Sequence, residues 1–136
     1  QVFFSTKDRT YIDNSVSLDN VTIKAELNNF AINEKCQQKQ NNAIFSLDVL
    51  IIAKPFNDSK ESSLFFPIYI SLLNYDNEIL ETQYFSISGL MNKNIDTNTF
   101  IETNIIDELK IATKHINTSQ LVIGFMIDNK KRKLLN

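Results

Sequence analysis

The chain holds one histidine, His115, and one cysteine, Cys36, and they lie far apart in sequence. A thiol nucleophile needs an activating base, and a metal needs several converging ligands. One residue of each kind readily supplies neither, and a lone cysteine forms no intramolecular disulfide. Cys36 therefore reads as a reduced structural thiol. Asp107 and Glu108 are adjacent, so on a strand they point to opposite faces and do not form an acid–base pair. Asp8, Asp13 and Asp19 are scattered, without the spacing of a calcium loop. No glycine-rich phosphate loop is present, and no basic stripe interleaved with aromatics, which speaks against nucleotides and nucleic acid. The expectation is no catalytic, cofactor or metal residue, and hence no enzyme.

Binding chemistry is better represented. Tyr75, Asp76 and Asn77 form the strongest hairpin-turn signal, since Asp and Asn tolerate the positive φ angles of a tight turn. This turn and the polar loop over residues 57–63 are candidate partner contacts. The run Lys130, Lys131, Arg132 and Lys133 reads first as a solvated tail. Against an anionic membrane or partner, each cation would contribute about 1 kcal/mol. Most Tyr and Phe side chains are expected in the core or on sheet faces. An exposed Tyr or Phe stripe would instead mark a binding surface.

The elements that position these residues can be read from alternation. Val21, Ile23, Ala25 and Leu27 alternate with Thr22, Lys24 and Glu26, which predicts a strand with one buried face. Asn28 and Asn29 predict a bend or bulge before Phe30 and Ile32. Residues 34–42 are polar and read as a turn or loop. Residues 43–53 form a long strand, apolar on one side early and on both sides late, which Lys54-Pro55 ends. Residues 64–73 form the next strand, with Pro67 predicting a bulge, an edge position or a later start. The return strand covers residues 79–88. An Asn-rich connection over residues 89–98 leads to residues 100–111. There, length favours a helix and β-branched content favours a strand, and the β surroundings decide for a strand. A loop with His115 precedes a last strand at 121–128, where Gly124 predicts a close neighbour or a bulge.

With 136 residues, 43% hydrophobic and 22% charged, the chain fits one ordinary globular domain. A net charge of −2 argues against general attraction to polyanions. No apolar run reaches the roughly 18 residues that span a bilayer. Asn and Ile each make up roughly an eighth of the chain, a composition typical of AT-rich codon usage. With only two glycines, asparagine is expected to take over the left-handed turn positions. Six or seven short strands joined by polar loops predict an all-β fold. The expected architecture is an antiparallel β-sandwich, Ig-like or fibronectin-III-like in architecture alone, since the paired cysteines and Trp of immunoglobulin domains are missing. The sandwich is expected over residues 21–128, after an N-terminal segment 1–20 and before a basic tail 129–136.

Several ordered pieces resemble a family of alphaproteobacterial cell-envelope lipoproteins of uncharacterised function. The pieces are residues 21–27 with Phe30 and Cys36, the apolar stretch 43–53, and Phe66-Pro67-Ile68-Tyr69-Ile70-Ser71-Leu72. Asp76 through Phe85 and Val122-Ile123-Gly124-Phe125 complete the set. The match covers roughly residues 20–128 and departs from the family in lacking its turn glycine and its Pro- and Arg-rich loops. The resemblance implies a lipid-bearing cysteine just upstream of Gln1, where Gln1-Val2-Phe3-Phe4 resembles the segment after that cysteine. Two or more acyl chains would hold such a protein to a membrane without a spanning helix. The resemblance thus implies a periplasmic, lipid-anchored, non-enzymatic accessory component of an envelope complex, which meets a protein partner through its sandwich. The alternative is a β-sandwich that binds a small ligand, a sugar or a lipid.

Overall fold

Strands of alternating polarity bury one face each, and they need a second layer to cover it. The computed structural model describes residues 2–12, 22–39, 41–56, 62–128, 133 and 135. These form β1 (Val2–Phe4), β2 (Thr10–Ile12), β3 (Ile23–Lys39), β4 (Asn42–Pro55), β5 (Ser63–Leu73), β6 (Ile79–Leu90), β7 (Lys93–Asn94), β8 (Thr99–Phe100), β9 (Thr103–Thr113) and β10 (Gln120–Phe125). Sheet A has the order β1-β10-β5-β6, and sheet B has the order β2-β3-β4-β9. All neighbours within the two sheets are antiparallel except β1 and β10, which run parallel. β7 and β8 make a small separate hairpin. The protein is an all-β sandwich.

The hairpins β3–β4 and β5–β6 are local, but neither sheet is complete without a later strand. β9 returns to pair with β4, and β10 returns to pair with β5. The two layers are thus interlocked by long connections. Between them lie Leu47, Val49 and Ile51 of β4 and Phe66, Ile68, Ile70 and Leu72 of β5. Leu109 and Ile111 of β9 and Leu121, Ile123 and Phe125 of β10 complete this layer. Each such side chain contributes roughly 1.5–3 kcal/mol by leaving water. Tyr11 stands edge-on to Phe66 at 5.5 Å and tilted against Phe125 at 5.5 Å, which ties the short β2 of sheet B to two strands of sheet A.

Of the ambiguous segment 100–111, residues 103–111 are strand, while Phe100 ends β8 and residues 101–102 lie between the two; Thr103, Ile105, Leu109 and Ile111 point inward and are buried. Asp107 occupies the same inward row and is only half-buried. The expected bulge at the Asn pair is present as a register shift between Leu27 and Asn29. Left-handed backbone occurs at Asn41, Asn77 and Asn98 and at no glycine among the described residues. Asparagine has taken over those turn positions.

Other expectations are corrected. Residues 2–12 are part of the sandwich, one strand in each sheet, so the domain does not begin near residue 21. Residues 34–39 are not a loop, because β3 continues to Lys39 and stays paired with β4 through two further register shifts. The backbone pairs there although the sequence is polar. The connection at 89–98 contains the end of β6 and the β7 arm of a hairpin. β5 neither bulges nor begins at Pro67. Its ladder to β10 ends at Ile68, so the missing N–H falls just past the last paired rung, where Met126 N–H still donates to the Pro67 carbonyl at 2.9 Å. The outward Leu50 and Ile52 of β4 are half-buried rather than covered by a further layer. No helix among the described residues is long and apolar enough to cross a membrane.

Candidate binding surface

The residues with chemical potential do not converge. His115 is half-buried in the β9–β10 loop, and its backbone N–H donates to Thr113 Oγ1 at 3.1 Å. It lines an open groove of about 430 Å³ with Asn42, Ile44, Glu81, Ala112, Thr113 and Lys114. The Glu81 carboxylate is already engaged there: it accepts from Thr113 Oγ1 at 2.5 Å and from Gln83 Nε2 at 3.2 Å. The Thr113 bond ties β6 to β9, and the Gln83 bond lies within β6; together they make the carboxylate a structural acceptor. Cys36 lies in β3, and its side chain is outside what the structure describes, as are Asp13 and Asp19. Asp8 is 5% exposed and accepts from the Tyr69 hydroxyl at 2.6 Å. Among the described residues, no three of His, Cys, Asp and Glu gather as a metal site would require.

The turn selected as a partner contact is solvent-facing and well ordered by hydrogen bonds. Asn74 Oδ1 accepts from the N–H groups of Asp76 and Glu78, and Asn77 N–H donates to the Asn74 carbonyl. Asn77 has φ 61°, and Tyr75 is 87% exposed. Of the basic cluster, Lys133 is exposed, while Lys130, Lys131 and Arg132 lie outside the described residues. Residues 57–61 of the candidate loop also lie outside them. The Tyr75 turn follows β5 near the start of β10, where Ser119 N–H donates to the Leu73 carbonyl, and Asp128 lies past the other end of β10.

A different surface stands out, the outward face of sheet A. Register places Phe3, Val122, Ser71 and Thr82 in one row across its four strands. The next row holds Gly124, Tyr69 and Tyr84, followed by Pro67 with Ser86 and Phe65 with Ser88. Ser71 and Thr82 share a hydrogen bond of 3.0 Å. Phe65 is 58% exposed and Tyr84 64% exposed. The buried Asp8 carboxylate lies where the Tyr69 hydroxyl meets it, at the margin of this face.

Gly124 explains how the face is built. A Cβ on it would lie 2.5 Å from Tyr69 Cζ, so the glycine is the space that the tyrosine crosses. The phenol then reaches Asp8 in the segment after β1. That segment runs on beside β10, with Ser5 N–H donating to the Ile123 carbonyl and Phe125 N–H to the Asp8 carbonyl. One side chain from β5 thus spans β10 and fastens the N-terminal segment. The close neighbour expected at Gly124 is Tyr69, and there is no bulge.

A face of aromatic and hydroxyl side chains without charge is equipped to meet an uncharged protein or glycan surface. Charged residues are depleted, and Tyr, Phe and Met enriched, at the buried centres of protein interfaces. Phe65, Tyr69 and Tyr84 were not among the residues selected from sequence as contacts. Their outward positions follow from alternation, but their grouping depends on which strands share a sheet. Comparison of the chain with protein-family models, with curated proteins and with solved structures returns no match.

Proposed function

We propose that this protein is a non-enzymatic binding module, a lipid-anchored accessory component of a bacterial envelope complex, that docks a protein partner through the outward face of sheet A. The observation that supports docking is the uncharged surface around Phe65, Tyr69 and Tyr84, on a chain that is 22% charged. The rows of hydroxyls between the rings offer hydrogen bonds without the desolvation cost of ions. The envelope part of the reading rests on the sequence resemblance. A lipid anchor ahead of Gln1 would place the Tyr75 turn toward the membrane, because Val2 lies at that end of the sandwich.

Affinity purification of the full-length, leader-bearing protein from its native membrane tests both parts, with Phe65→Glu and Ile106→Glu variants alongside. The expected result is a lipidated protein with a stoichiometric partner that Phe65→Glu loses and Ile106→Glu keeps. Ile106 is the matched control, exposed on the outward face of sheet B. Retention of the partner by Phe65→Glu would remove the proposed face. Recovery of the protein in the soluble fraction without lipid would remove the envelope assignment.

A second reading is a glycan-binding face, since Tyr69 lies across Gly124 directly beside Tyr84, with Thr82 and Ser86 next to them on β6. It predicts that soluble oligosaccharides perturb the tyrosine signals of the protein without any partner present.

A further inference from the structure

The edges of the two sheets are not treated alike. β1 and β2 are edge strands of three residues each. β9 is long, but it carries Asp107 in its inward row and Glu108 and Lys110 outward. Its Ala112 carbonyl accepts from Gln83 Nε2 at 2.9 Å. Inward charges and occupied edge groups are devices that blunt a strand edge against further pairing. β6 carries one inward charge, Glu81 near its start, which the Thr113 hydroxyl engages. From Thr82 to Leu90 it contains no charge and no proline, and its ladder to β5 shows no register shift over that stretch.

The direction of its free backbone groups can be derived. The Pro67 carbonyl faces β10, since it accepts from Met126 N–H. Alternation along an antiparallel ladder then turns the groups of Phe65, Tyr69 and Ser71 toward β10 as well. Their partners on β6 are Ser88, Ser86, Tyr84 and Thr82. Opposite a residue that faces away, the partner faces away too. These four residues therefore point their N–H and C=O groups outward, over a span of roughly 20 Å at strand rise.

We propose that two copies of this chain pair antiparallel through β6, joining their A sheets into one eight-stranded sheet. A two-fold axis at Phe85 sets each Tyr84 opposite the small Ser86 of the other copy, and each Thr82 opposite its Ser88. No charged side chain faces a like charge in that register, and every outward group of the four residues meets its complement. The uncharged outward face doubles in width as a result. The inference goes beyond partner docking and does not depend on it, since the pairing is made by the backbone edge of β6 and Phe65 and Tyr69 lie on β5.

Sedimentation equilibrium of the whole chain from micromolar to millimolar concentration is the test. Wild type should rise with concentration from 15.7 kDa toward twice that mass. Ser86→Pro removes an outward N–H that the ladder to β5 does not use, and should leave a folded monomer throughout. Tyr84→Lys, at a largely exposed position, should weaken the dimer at least about tenfold and keeps the test open should the proline variant fail to fold. Hydrogen exchange should show the amides of Thr82, Tyr84, Ser86 and Ser88 gaining protection as concentration rises. Phe65→Glu should still dimerise, which separates failure of this inference from failure of partner docking. A wild type that stays monomeric, or a dimer that survives Ser86→Pro and Tyr84→Lys, overturns the proposal.

Discussion

The two outward faces of the sandwich are made from strands of similar length and are opposite in chemistry. Sheet A shows Phe3, Phe65, Tyr69, Tyr84 and a set of hydroxyls, with no charge in its outward rows among the described residues. Sheet B shows Leu50, Ile52 and Ile106 beside Lys24, Glu26, Asp48, Lys54, Glu108 and Lys110. Aliphatic residues flanked by both signs of charge form an ordinary solvated sheet surface. A surface without charge on a charged chain is kept soluble by its hydroxyls and by whatever covers it. The difference extends to the edges, where β9 of sheet B is blunted and β6 of sheet A is open. Exposure alone would not have separated the faces, since Ile106 is more exposed than Phe65. The absence of charge does.

The comparison breaks most readily at Gly124, where the sheet A face is assembled. Gly124→Val would place side-chain carbon in the path of the Tyr69 ring, lift the phenol from Asp8 and loosen the N-terminal segment. A loss of roughly 2–4 kcal/mol is expected from overpacking together with the broken buried hydrogen bond. Urea denaturation measures it, and a loss below about 0.5 kcal/mol, the range of ordinary surface changes, would mean that Tyr69 has another place to go.

Tyr69→Phe isolates the hydroxyl from the ring. The ring still fits over Gly124, and the bond to Asp8 is lost. About 1–2 kcal/mol should disappear from the stability, and amide exchange should quicken first at Phe3 and Phe4. An equal rise across both sheets would show that the bond supports the whole core and not one strand.

How far this was readable from the residues alone depends on the element. β4, β5, β6, β9 and β10 were legible because their apolar residues repeat every second position beside a shared core. β1 and β2 were not, since three residues carry no period, and Tyr69 and Gly124 hold that region from a distance in sequence. The polar end of β3 was hidden for the opposite reason: its backbone pairs where the sequence carries no apolar alternation. The binding surface was half legible. Alternation puts Phe65 and Tyr84 on outward positions, but only strand order shows that their neighbours on β10 and β1 are also uncharged. The turn at Tyr75 was legible because Asn74, Asp76 and Asn77 carry their turn chemistry locally.

The smallest expected effect sharpens the contrast in electrostatics. Glu108 stands directly opposite Asp48 on the outward face of sheet B, and like charges facing each other across two strands are destabilising. Glu108→Lys should therefore raise stability by a few tenths of a kcal/mol at low salt, even though it removes the 3.3 Å bond from Ser46 Oγ. The gain should shrink as salt is added, because both groups are accessible to screening ions. Ser88→Lys on sheet A is the matched substitution. No like charge stands opposite it, so its effect on monomer stability should be near zero and indifferent to salt. Thermal unfolding of both variants at two ionic strengths, at concentrations low enough to keep the chain monomeric, reads the difference. A salt-dependent shift in Ser88→Lys as large as that in Glu108→Lys would mean that sheet A sits in a field its own side chains do not account for, and the contrast between the faces would lose its electrostatic basis.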